Sequence, residues 1–220
     1  MISSRNLSLL PDVTRLRAAF RSMAMLDAII MPEWQFRYYS FESEFSPDGN
    51  ISIGAMRNGS GDDLHAIFGQ SGCLIRGFAH EHAMSPYAET PPKVFPGVLD
   101  DIPSEFAECL AAIHSDWWQD ITFCIWRRHA DLTWSHGSIQ FPELRDPDGS
   151  EFLLSAYDGR PETYHIWANE YYQHRNFSLA AVRSVFDHRP LTEDLIRELN
   201  PDRSLAELTD EVLQIGYGRG

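Results

Sequence analysis

The spacing of apolar residues changes twice along the chain and divides it into three parts. From Val13 to Ile30 the residues Val13, Leu16, Phe20, Met23, Leu26 and Ile30 recur every three or four positions, which is one face of an α-helix. Pro11 and Asp12 are placed to open that helix, with Arg17 and Arg21 on its opposite face. Pro32 limits it, because a proline disfavours helical geometry in the residue before it. The period then drops to two. Trp34 to Phe41 alternates with Trp34, Phe36 and Tyr38 on one side, and Ile51 to Met56, Leu64 to Phe68 and Cys73 to Phe78 follow. Turn residues separate these runs: Ser46-Pro47-Asp48-Gly49-Asn50, Asn58-Gly59-Ser60-Gly61 and Gln70-Ser71-Gly72. Short alternating runs joined by such turns predict an antiparallel meander.

The proline-rich stretch from His82 to Asp101, with Pro86, Pro91, Pro92 and Pro96, predicts a long loop. A loop of that length either binds something or covers a core. Pro103 opens a helix carrying Phe106, Leu110 and Ile113. Ile121 to Arg128 predicts a further strand, with Leu132 to Trp134 placed to pair with it. After Asp146-Pro147-Asp148-Gly149 the helical spacing returns. Pro161 leads into Tyr164, Trp167, Ala168 and Tyr171 on one face, Ser178 and Thr192 cap two further helices, and Ser204 with Glu207 forms a capping box for the last one, which Gly216 ends. The predicted fold class is α+β: an N-terminal helix, an antiparallel meander sheet of about five or six strands and a helical C-terminal third. Residues 1–220 are expected to form a single domain, with a β-rich lobe at about 33–140 and a helical lobe at about 150–216.

Composition narrows the setting. The chain has 220 residues, 43% of them hydrophobic and 12% aromatic, enough to build a packed core. No basic region followed by an apolar run marks a secretory leader, and the longest apolar stretch, Met23 to Met31, is interrupted by Asp27 and far too short for a bilayer. Cys73, Cys109 and Cys124 are odd in number, lack metal-ligand spacing and sit in apolar contexts, which reads as core residues in a reducing compartment. A cytoplasmic protein is expected.

The net charge of −14 argues against binding nucleic acid or an anionic membrane through a basic surface. It favours a cationic partner, and the charge is uneven. Residues 42–116 carry twelve acids against Arg57, Arg76 and Lys93, a net of −9. Residues 1–41 are net +2, residues 117–142 balance, and residues 143–220 are net −7.

Candidate chemistry lies in three places. His80-Glu81-His82 follows the fourth strand, and in an extended segment the two histidines would point the same way and could share a metal, with His65, His129, His136 or an acid as third ligand. The helical HExxH zinc motif is absent, and a histidine pair at a strand end also has an ordinary structural reading. Arg57-Asn58-Gly59-Ser60-Gly61-Asp62-Asp63 has the glycines of a phosphate loop. It lacks the lysine and following hydroxyl, and Asp62 and Asp63 would repel phosphate, so a hairpin turn is expected. Trp126-Arg127-Arg128-His129, with Trp134 and His136 downstream, combines cations with aromatic faces and could hold an anion or a planar ligand. The favoured reading is plainer: Trp126 is core and the arginines pair with nearby acids. No nucleophile elbow, reactive-cysteine context or cofactor motif is visible.

Several stretches together resemble a family of bacterial proteins that has no assigned activity. They are Met23 to Ile30, Glu33 to Phe41, Met56 to Asp62, Gly77 to Glu81, Met84-Ser85-Pro86 and Phe123 to Arg128, spanning residues 10 to 217. Some small acidic bacterial proteins of this kind look like immunity factors encoded beside secreted toxins. The resemblance implies a protein-binding module that neutralises a cationic toxin, and it assigns no residue a role. A metal-dependent or small-ligand enzyme centred on His80, Glu81 and His82, and a structural subunit of an assembly, are the competing expectations.

Overall fold

The structure, a computed structural model, describes residues 1–113, 115–172 and 176–218. Helix α1 (Val13–Ile30) starts at Asp12, whose carboxylate accepts the Arg15 N–H at 2.9 Å. Its first turns are amphipathic, but every residue from Ser22 to Ile30 is buried. A helix apolar on all sides belongs in an interior, and α1 lies between the sheet and the C-terminal helices. Arg17 and Arg21 are therefore not on a solvent face. Their guanidinium groups lie 5.2 Å over the Phe68 ring and 5.5 Å over the Phe41 ring, so the long stems cover the sheet. The helix ends where Asn200 donates to the carbonyls of Ile29 and Ile30, at 2.9 and 3.3 Å.

Six strands form one antiparallel sheet in chain order: β1 (Tyr39–Glu42), β2 (Ser52–Arg57), β3 (Asp63–Phe68), β4 (Gly72–Phe78), β5 (Phe123–Arg128) and β6 (Ser135–His136). The meander is as predicted, with two changes at its ends. Trp34–Phe36 is a 3-10 turn rather than strand. The Arg37 side chain donates to the carbonyls of Met31 and Pro32, both at 2.8 Å, and folds this stretch back on the end of α1. At the other end the pairing segment is Ser135–His136, because Leu132 follows the turn closed by Asp131 N–H to Arg128 O.

Alternate residues of the strands face two cores. On one side Tyr39, Phe41, Leu64, Phe68, Ile75, Phe123 and Ile125 pack with α1 and with helices α3 (Ser150–Leu153), α4 (Pro161–Tyr171), α5 (Leu179–Phe186), α6 (Glu193–Leu199) and α7 (Thr209–Ile215). Helices and sheet thus share a core. Phe20 of α1 approaches so closely that a β-carbon on Gly54 would sit 2.4 Å from its ring. On the other side Ile53, Ile67, Leu74, Cys124 and Trp126 meet Met84, Val98, Phe106, Cys109 and Ile113. The proline-rich loop and the short helix α2 (Ala107–Ala112) after it are therefore a lid on the second face of the sheet.

Ser178 and Thr192 cap α5 and α6, and Gly216 ends α7 with φ of 65°. The capping box is only half formed: Glu207 accepts both the Ser204 N–H and its hydroxyl. Helix α3, starting at Gly149 with φ of 72°, was not predicted. Among the described residues no helix is long and apolar enough to cross a membrane.

Candidate functional site

Residues 58–62 are the β2–β3 hairpin turn, folded around their own side chains. Asn58 Oδ1 accepts the N–H groups of Ser60 and Asp62, and Asp62 Oδ2 accepts Asn58 Nδ2 at 2.7 Å. Asp62 Oδ1 takes both the His80 N–H (2.9 Å) and His80 Nδ1 (2.7 Å), which fastens the hairpin to the exit of β4. Burial works against the Asp62 charge, but these bonds and the His80 charge hold its carboxyl below the usual range. One strand pair inward, buried Arg76 lies 2.6 Å from Asp63 and 2.8 Å from His65 Nδ1. An arginine can only donate, so His65 Nδ1 is an acceptor and the ring is neutral, in keeping with the downward push of burial on its pKa. The ring stacks on Trp117 at 4.1 Å. Asp63 is likewise held below the usual range: burial opposes the charge, but the Arg76 guanidinium beside it prevails.

His80-Glu81-His82 is a turn, closed by His82 N–H to Ala79 O, and not the extended segment that would aim both rings one way. His80 faces Asp62. His82 packs beside Gly149, 3.9 Å from Asp146, and Glu81 is exposed. The two rings are sent to different carboxylates. Among the described residues no group of three or more His, Cys, Asp or Glu side chains could hold a metal ion.

Strand alternation also separates the Trp-Arg segment. Trp126 is in the second core, Arg127 donates to Asp131 O at 3.0 Å, and Arg128 lies 3.7 Å from Glu105 and 3.8 Å from Asp131. Trp134 belongs to the first core and gives its indole N–H to Pro11 O at 2.7 Å. His136 Nδ1 bonds Gly137 O. Arg127, Trp134 and His136 do share a cleft of 340 Å³ with the segment Ser4 to Leu10, while Trp126 and Arg128 face away from it.

Two buried carboxylates escaped the sequence reading. Asp27 Oδ2 accepts the N–H groups of Tyr38 and Tyr39 at 2.9 and 2.8 Å, and Oδ1 accepts the Tyr164 hydroxyl at 2.6 Å. Burial pushes its pKa up to about 6, although these bonds pull the other way. Asp148 binds the hydroxyls of Ser4 and Ser150 and ties the N-terminal residues to the start of α3, and burial raises it as well. Both are closed to solvent and serve the fold. An acid inside the apolar run Met23 to Met31 was the available signal for Asp27.

What remains is surface. On the lid, Glu89, Asp100, Asp101, Glu105 and Glu108 are all exposed, against the single Lys93. Elsewhere, Trp34, Phe36 and Tyr171 are 51, 57 and 42% exposed and line one cleft of 510 Å³ with Arg57. The sequence hid this cleft, because Trp34 and Phe36 read as strand and Tyr171 as one member of a helix face with Tyr164 and Trp167. Comparison with protein-family profiles, with curated proteins and with solved structures finds no match to this chain.

Proposed function

We propose that this protein binds a basic partner protein through the acidic lid on the second face of its sheet. The observation that carries this reading is the run of exposed acids, Glu89, Asp100, Asp101, Glu105 and Glu108, on a segment held down by Val98, Phe106, Cys109 and Ile113. A fixed array of like charges steers an oppositely charged protein and sets its orientation. Together with the family resemblance, this reading makes the protein a cytoplasmic immunity factor and its partner a cationic toxin.

The test is co-expression with a basic toxin encoded beside its gene, alongside association kinetics at increasing salt. The chain should protect cells, and association should slow as salt rises. Reversing Glu89, Asp100 and Glu105 to lysine should slow it further while leaving thermal stability near its starting value. Association that ignores both salt and the reversed charges would end this reading.

A further inference from the structure

We propose that the cleft bounded by the Trp34–Phe36 turn, the β2–β3 hairpin and the end of α4 binds a small planar carboxylate, anchored by Arg57. This site is independent of the acidic lid.

Among the described residues two guanidinium groups reach the cleft, and their situations differ. Arg37 is fully engaged, with Glu211 at 3.0 Å and the carbonyls of Met31 and Pro32 at 2.8 Å. Arg57 has the Ser40 hydroxyl at 3.3 Å and the Trp34 ring at 4.6 Å, and no carboxylate of the described residues lies within ion-pair distance. Arg57 is thus an exposed arginine at the cleft with no counter-charge among the described residues, in a chain of net −14.

The backbone that carries the anchor and the Trp34 turn beneath it are also held in place. The Arg57 N–H donates to Tyr38 O at 2.9 Å, and the Trp34 turn is closed by Phe36 N–H to Glu33 O and Arg37 N–H to Trp34 O. A guanidinium lying over an indole keeps its N–H donors at its edge, where two can meet the two oxygens of a carboxylate. The walls of the cleft therefore lose little freedom when the anion arrives.

The remaining walls suit a ring. Tyr171 is stacked on Trp167 at 5.0 Å and meets Tyr38 edge-on at 5.0 Å, so its exposed part is a fixed aromatic surface, with Phe36 also lining the cleft. A volume of 510 Å³ is that of a small-molecule cleft rather than a long peptide groove. Charge selects carboxylate over phosphate. Among the described residues, the one unpaired guanidinium at the cleft balances one negative charge, whereas a phosphate monoester brings close to two, beside the Asn58–Asp62 hairpin of a strongly acidic protein.

The probes are 3-phenylpropionate, its neutral amide and acetate, each titrated into the full chain by calorimetry and ligand-observed NMR. The carboxylate should bind, with the amide and acetate each weaker by about tenfold or more, as loss of a charged hydrogen bond or of the ring implies. Arg57→Gln should lose about the same factor and Arg57→Lys less, since lysine keeps the charge without the paired donors. The acid-against-amide comparison on the unaltered chain decides the matter even if a substitution disturbs folding. Equal binding of acid and amide, unchanged affinity in Arg57→Gln, or no binding at millimolar probe would each overturn the proposal. So would self-association in sedimentation that Phe36→Ser abolishes, because the aromatics would then belong to a contact between copies of the chain.

Discussion

Asp27→Asn tests how the central helix is joined to the sheet. The carboxylate sits in α1, fully buried, and accepts from the backbone N–H groups of Tyr38 and Tyr39, where the chain enters β1, and from Tyr164. Burial lifts its pKa from 3.8 to about 6 in the folded chain. The folded state therefore holds this proton more tightly than the unfolded state does. The resulting stabilisation is complete below about pH 4 and is lost as pH rises through 6. A shift of about two units corresponds to about 3 kcal/mol. Asp62 and Asp63, held below the usual range, act with the opposite sign: their stabilisation is present at neutral pH and lost in acid. The difference between the parent and the variant removes their contribution. An asparagine oxygen can still accept both N–H groups, so the variant is expected to fold. Urea unfolding from pH 4 to 7 should show the parent losing about 3 kcal/mol relative to Asp27→Asn as pH rises. A difference that stays flat, or that grows in the parent's favour with pH, would refute the assignment, as would a carboxyl NMR titration of Asp27 centred near pH 4.

Arg76→Met should destabilise by about 3 kcal/mol, because it leaves Asp63 largely buried without its counter-charge, and thermal denaturation of a double variant with Asp63→Asn should recover part of that loss. Burial raises the thiol pKa values of Cys73, Cys109 and Cys124; none should react with a thiol reagent at neutral pH until denaturant is added, and fast labelling of the native chain would contradict the two-core arrangement. The lid and the cleft should be separable: lysine at Glu89, Asp100 and Glu105 should leave 3-phenylpropionate binding intact, and Arg57→Gln should leave association with a basic protein intact, each measured by calorimetry.

Regular local patterns were legible. The spacing from Val13 to Ile30, the turn residues between the strands and the caps at Ser178 and Thr192 are local signals, and the structure uses them as expected. Signals that depend on distant chain segments were not. Trp34 and Phe36 alternate like strand residues, yet Arg37 folds them onto the end of α1. His80 and His82 share a face only if extended, and the bonds of Asp62 to His80 and of Ala79 O to His82 N–H make a turn instead. The role of Asp27 depends on Tyr164, which lies far along the chain and approaches only when α4 packs on the sheet.

The two-sided burial of the sheet also explains why the candidate residues dispersed. In a sheet with one open face, the residues of a Trp-Arg-Arg run would meet solvent on every second position and could cooperate there. Here both faces are covered, so Trp126 enters one core while the arginines engage carbonyls and acids at the strand end. Among the described residues, it is groups at the strand ends and beyond them that can present chemistry to a partner. The lid does so with carboxylates, since most of its apolar side chains are spent on the second core. The Trp34 turn does so with aromatic rings, since the chain between α1 and β1 must reverse before it can pair, and the reversal carries Trp34 and Phe36 outward. The acidic lid and the arginine cleft thus follow from one cause: a meander closed on both sides leaves its reactive surface to its cover and its corners.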